Sequence, residues 1–178
     1  MKLLSVNVSL PKTVRWGARS VRTGIYKEPV SGAVFLGRLN LEGDGQADPK
    51  YHGGVDKAVY AYSAEHYPYW EEALGRDLPF GTFGENFTVE GMPEDSVRLG
   101  DVYELAGGAR IQVTQPRTPC AKLGMKMGSM GFVREFQKAG MPGYYLRVLR
   151  EGLVEVGAVV LVSSDPSQPT VKDVFVEG

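Results

Sequence analysis

Glycine and proline set the first constraint on this chain. Its 23 glycines and 11 prolines are scattered without period through 178 residues. Glycine weakens a helix or strand interior, and proline fixes φ and removes a backbone donor, so long regular elements have little room to form. The pattern favours many short strands joined by tight turns. Period-two stretches such as Arg110-Ile-Gln-Val-Thr fit strands with one wet face. Strands are predicted at 2–8, 24–27, 33–36, 57–62, 86–89, 101–105, 110–114, 144–149, 154–162 and 171–176, with a hairpin turn at 150–153. Two helices are predicted. Ser63 can cap AEHYPYWEEAL, which Gly75 stops, and Ser129 can cap MGFVREFQKA, which Gly140 stops. Strands and helices do not alternate regularly, which disfavours a doubly wound parallel sheet. The expected fold is a mainly β, barrel-like single domain over 1–178 with a few short helices.

Charge narrows the partners. The net charge is −1, with acidic and basic residues interspersed, which argues against a polynucleotide-binding surface. No run approaches the roughly 20 apolar residues of a membrane helix. One cysteine cannot form an internal disulfide, and the N-terminal MKLLSVNVSLPK lacks a signal-peptide pattern, so the expected location is the cytoplasm. The GDGQAD stretch at 43–48 lacks the third glycine of a dinucleotide fingerprint, and no phosphate-binding GxxxxGK[ST] occurs. One cysteine and two histidines also exclude a four-thiolate zinc or iron–sulfur site built from this chain alone.

Three stretches carry chemistry. In VTQPRTPCAKL, at 113–123, Pro116 and Pro119 stiffen the backbone before Cys120, while Arg117 and Lys122 are near enough in sequence to stabilise a thiolate. A free cysteine is equally at home as a small buried hydrophobe. In GDGQADPKYHGGVDKAVYAY, at 43–62, His52 precedes Gly53 and Gly54, which allow a sharp bend or close approach to a ligand, and Asp56 and Lys57 follow. In FGTFGENFTVEG, at 80–91, Glu85 and Asn86 stand at the mouth of a predicted strand, where such residues also serve turns.

In chain order HGGVDKAVYAY, FGENFTVEG, LGDVYEL at 99–105 and VTQPRTPCAKL resemble in order and spacing the MOSC domain, named after the C-terminal domain of molybdenum-cofactor sulfurases. The likeness runs from TGIYKEPV, at 23–30, to about residue 162, and is strongest to the family's free-standing bacterial YiiM-like branch. The resemblance implies a barrel-like β fold, a molybdopterin-type molybdenum cofactor and Cys120 as the molybdenum ligand. It further implies reduction of N-hydroxylated small molecules, such as hydroxylaminopurine-type bases, by an oxidoreductase with an external flavin or iron–sulfur reductase as partner. Proton donors expected on that reading are His52 and Lys57, with Glu85 secondary. Arg117, Lys57, Lys27 and Arg147, with Gly53, Gly54 and Asn86, are expected to hold the cofactor. The 169–178 tail reads as a strand, not as the helical extension common in that branch. Two alternatives stay open: a non-catalytic carrier or sulfur- and cofactor-transfer module, and a Cys-His hydrolase built on Cys120 and His52.

Overall fold

The computed structural model describes residues 1–47 and 53–177. Seven strands close into a barrel: β1 (Lys2–Val8), β6 (Val59–Ser63), β7 (Phe87–Glu90), β8 (Val102–Leu105), β9 (Arg110–Pro116), β10 (Tyr144–Arg150) and β12 (Gly157–Ser163). Their order is β12-β8-β9-β10-β6-β7-β1, and β1 returns to β12 through Lys2 opposite Ala158. Only the β6–β7 pair is parallel among these pairings. Two short strand pairings decorate the barrel. β4 (Glu28–Val30) extends β1, and β5 (Val34–Leu36) pairs with β11 (Gly152–Val154). A hairpin, β2 (Lys12–Trp16) with β3 (Arg19–Thr23), pairs with no other strand among the described residues.

Strand alternation fills the barrel. Ile111 and Val113, Leu146 and Val148, Val59 and Ala61, and Phe87 and Val89 all point into one buried cluster. The other face of β6 is buried too. Tyr60 and Tyr62 turn outward onto α1 (Tyr67–Leu74), α2 (Ala121–Met127) and α3 (Phe132–Ala139), where they meet Trp70, Phe83, Leu123, Phe132 and Phe136. Rings there pack edge-on, tilted or stacked, the last as in Trp70 against Phe136 at 5.4 Å. Full burial of such side chains contributes about 1.5–3 kcal/mol each, so this second core fixes the helices on the barrel.

Several expected elements differ. The 171–176 segment is a helix, α4 (Val171–Glu177), because Thr170 and Asp173 cap it reciprocally at 2.9 and 3.1 Å. Residues 24–27 form no strand; Gly24 is pressed so close to the 45 carbonyl that a Cβ would stand 2.9 Å from it. The turn at 150–153 joins no hairpin: β10 pairs with β9 on one edge and β6 on the other, so β11 leaves for β5. The single strand expected at 154–162 breaks between Val154 and Gly157 for the same reason, and Gly157 supplies φ 152° at the break. Lys57 ends a 3-10 turn (Val55–Lys57) before β6 begins.

Candidate functional site

A cleft of about 110 Å³ opens where the two cores meet, partly to solvent, and Cys120 is in its wall. The sequence places it there by three local decisions. Pro116 ends β9, paired with Tyr144, and Arg117 N then donates to Gly143 O at 3.1 Å. Gly143 has φ 69°, and a Cβ on it would strike Ala61 O at 2.5 Å, so the crossing of these chains requires glycine. Cys120 occupies the cap position of α2 with extended backbone, φ −132° and ψ 172°, and its carbonyl accepts from Leu123 N at 2.9 Å. Its side chain does not cap the helix; it is half-buried in the cleft wall.

Cations converge on the same cleft. Lys27, Lys57, Arg117 and Lys122 all line it, beside Asp44, Gln46, Asn86, Tyr60 and Tyr145. Arg117 is only 5% exposed, so its charge must be held by its surroundings. It donates to Tyr60 Oη at 3.1 Å and Phe83 O at 3.0 Å, and its guanidinium lies 4.6 Å from the Tyr60 ring centre. Burial works against that charge, but Tyr60, Tyr145 and Cys120 together move its pKa upward. Lys27 is ion-paired with Asp44, and burial pulls its pKa below the ordinary lysine value, with Asp44 opposing. Lys57 stands 5.6 Å over the Tyr145 ring. Gly84, at φ 85°, lets the wall pass Ile25, whose Cγ1 would be 2.6 Å from an added Cβ.

The expected site residues separate into groups. Cys120, Lys27, Lys57, Arg117 and Asn86 come together in the cleft. Asn86 is occupied in holding it: its amide donates to Asn7 O and Asp44 Oδ2 and accepts from Tyr60 N. Gly54 stands behind the wall, its N–H bonded to Gln46 Oε1 at 2.9 Å, and neither it nor Gly53 lines the cleft. Glu85 is fully buried outside the lining. It accepts from Tyr67 Oη, Gly81 N, Phe83 N and Thr88 Oγ1, which makes it the anchor of the 81–85 turn. Burial raises its pKa against those donors. Arg147 lies on another cavity, with Gln112, Thr114 and Ser163, and pairs with Asp56 at 3.0 Å. His52 lies outside the described residues.

Asp44, Gln46, Tyr60 and Tyr145 escaped the sequence reading. The first two sit in the GDGQAD stretch, whose polar side chains carry no recognisable motif spacing. The two tyrosines follow strand alternation and read as core.

Among the described residues no group of three or more His, Cys, Asp or Glu side chains could hold a metal ion. A metal here would need to bring most of its own ligands, with one soft thiolate from the protein. A sulfur-bound molybdenum on a phosphate-bearing pterin has that chemistry, so the donor set of one thiol among cations fits it.

Barrel, thiol and cationic wall define a class of protein: a mainly β barrel with one half-buried cysteine in a cleft lined by cations. The MOSC domain model matches residues 48–161, and the chain belongs to the MOSC domain family, in its YiiM-like branch. It is 51% identical to YflK of Bacillus subtilis (strain 168) over 156 residues, covering 88% of this chain and 70% of that protein. The crystal structure of YiiM from Geobacillus stearothermophilus is similar at a TM-score of 0.80 and 40% identity, over 98% of this chain and 81% of that one. A protein named Reductase from Gibberella moniliformis (strain M3125 / FGSC 7600) is 32% identical over 149 residues, which are 82% of this chain but 26% of that protein. The family is a molybdenum-cofactor-associated one.

Proposed function

We propose that this chain binds the molybdenum cofactor and reduces N-hydroxylated small molecules, of the hydroxylaminopurine class, to amines. The observation that carries the reading is the single thiol of Cys120 in a cleft walled by Lys27, Lys57, Arg117 and Lys122. The Gibberella relative's name, Reductase, points the same way. When bound, the cofactor supplies a metal able to accept an oxygen atom and to change oxidation state by two electrons. Overall, R–NH–OH, two electrons and two protons give R–NH2 and water, with cleavage of the N–O bond.

The chain's own residues bind and orient. Cys120 is the thiolate ligand. Lys57, Lys122 and Arg117 offset the negative charge of phosphate and thiolate, Arg117 from a fixed position and the lysines as adaptable point charges. Lys27 is tied to Asp44, so it holds the wall in place more than it adds net charge. Lys57 holds a proton for the leaving oxygen, with His52 as second candidate donor. Glu85 is withdrawn from this role, because every one of its contacts turns it into the fold.

The test is to express the chain with intact cofactor synthesis, measure molybdenum content, and assay a hydroxylaminopurine with a chemical reductant. The parent should contain molybdenum and turn over; Cys120→Ser should lose both while melting within a few degrees of the parent. Metal without turnover, with transfer of cofactor to an acceptor apoprotein, would instead identify a carrier. Unchanged molybdenum in Cys120→Ser would remove the ligand assignment.

A further inference from the structure

We propose that the β2–β3 hairpin is the docking surface for an acidic electron-donor protein. The inference rests on the reductase reading, since this chain must then receive two electrons from outside. The matching segment makes up 26% of the Gibberella protein.

The hairpin has an unusual composition. Between Lys12 and Thr23 it carries four cations, Lys12, Arg15, Arg19 and Arg22, and no carboxylate, in a chain whose net charge is −1. That balance conceals the patch when the sequence is read as a whole. All four cations are exposed, and among the described residues none is in an ion pair. Lys12 also stands over the Tyr26 ring, its ammonium 4.8 Å from the ring centre. Like charges on one ribbon repel, which costs stability and calls for a reason outside the fold.

Register sorts the side chains. Lys12 opposite Thr23, Val14 opposite Val21 and Trp16 opposite Arg19 share one face, while Arg15 and Arg22 stand on the other, opposite Ser20 and Thr13. The first face therefore carries a half-exposed Val14–Val21 pair and Trp16 flanked by cations. Its inner end is the cleft itself: Thr23 and Gly24 line the same wall as Cys120. An apolar centre bordered by charges, running to the reaction site, is the layout of a small transient interface.

Charge complementarity selects the occupant. An acidic protein surface meets Lys12 and Arg19 beside the apolar pair at short range, while Arg15 and Arg22 on the ribbon's other face add to the field that steers encounter. A polyanion such as nucleic acid needs a long cationic track, whereas this chain's net charge is −1. A 12-residue hairpin offers less than the ~1,200 Å² of a stable complex, which suits repeated electron delivery and release.

The experiment uses the purified full chain without cofactor, so that docking is read independently of turnover. An acidic plant-type [2Fe–2S] ferredoxin, an acidic flavodoxin and a single-stranded oligo-dT 20-mer are the probes, titrated by interferometry at 20 and 300 mM salt. The parent should bind at least one protein probe, about tenfold or more weakly at the higher salt. The triple change Arg15→Glu, Arg19→Glu, Arg22→Glu should abolish that binding, while Arg15→Lys, Arg19→Lys, Arg22→Lys keeps it within about threefold, since point charge is retained. Both variants should melt with the parent, because the hairpin pairs with no other strand. No binding to either protein probe, binding unchanged by charge reversal, or tighter binding of the oligonucleotide than of either protein would each overturn the proposal. Docking without molybdenum or turnover would sink the reductase reading alone; turnover with chemical reductant but no docking would sink this inference alone.

Discussion

At the scale of single residues, the cleft uses side chains for two purposes at once, and Arg117 shows it best. Its place beside Cys120 was legible, because a Pro-Arg-Thr-Pro-Cys run must bring both near one turn. Its burial was not legible. Only the fold reveals that it wedges between the Tyr60 ring and Phe83 O, with the Phe136 ring 5.7 Å away. The same holds for Glu85, whose sequence position beside a strand says nothing of the four donors that fold back onto it. Arg117→Ala should therefore cost the cofactor-free protein about 2–4 kcal/mol, since a buried tyrosine hydroxyl and a carbonyl lose a charged donor. Arg117→Lys should recover only part, because an ammonium can neither stack flat on Tyr60 nor reach both acceptors as a fork. Equilibrium urea unfolding of the apo variants reads this directly. A loss under 1 kcal/mol in Arg117→Ala would mean that the residue serves the ligand and not the scaffold.

At the scale of elements, the strands with clean alternation were the legible ones: β1, β8, β9 and β10 fall within a residue or two of their expected spans. The errors have a common physical source. Residues 171–176, Val-Lys-Asp-Val-Phe-Val, are rich in β-branched and aromatic side chains and so carry strand propensity. The local capping signal Thr170-Val-Lys-Asp173 outweighs it, since each partner satisfies a backbone N–H that a helix start leaves open. Val171 then anchors the helix, fully buried in the barrel core. Thr170→Ala should cost about 1 kcal/mol, and amide exchange should rise across 171–177 before it rises in the barrel strands. Uniform exchange in that variant would place the stability of α4 in Val171 alone. The β2–β3 hairpin was missed for the opposite reason: its cations and exposed faces give no burial pattern from which to read alternation.

At the scale of the whole molecule, a barrel was the expected class, but its closure was not readable. Pairing Lys2 with Ala158, or β6 parallel to β7, links residues with no local sequence relation. Nor does sequence show that one lysine joins the helical layer to both loops at the cleft's edge. Lys126, on α2, donates to Ile25 O at 3.0 Å and Gly81 O at 2.6 Å. Burial pulls its pKa down to about 8; Glu85 opposes the shift, and Arg117, Lys27 and Lys12 add to it. The sign follows from linkage. Between about pH 8 and the unfolded lysine value near 10.4, the unfolded chain binds this proton more than the native one does, so stability rises with pH through that window. Below it both forms are charged and the native state bears the full penalty; above it both are neutral and the penalty is gone. Lys126→Met removes the titration at the constant cost of two hydrogen bonds. The stability difference, parent minus Lys126→Met, should therefore move in the parent's favour by up to about 3 kcal/mol from pH 8 to pH 10.5 and stay flat from pH 6 to pH 7.5. Urea unfolding of the two proteins across that range measures it. A difference that is level throughout would show that the ammonium joining α2 to the cleft loops is as well solvated in the fold as in the open chain.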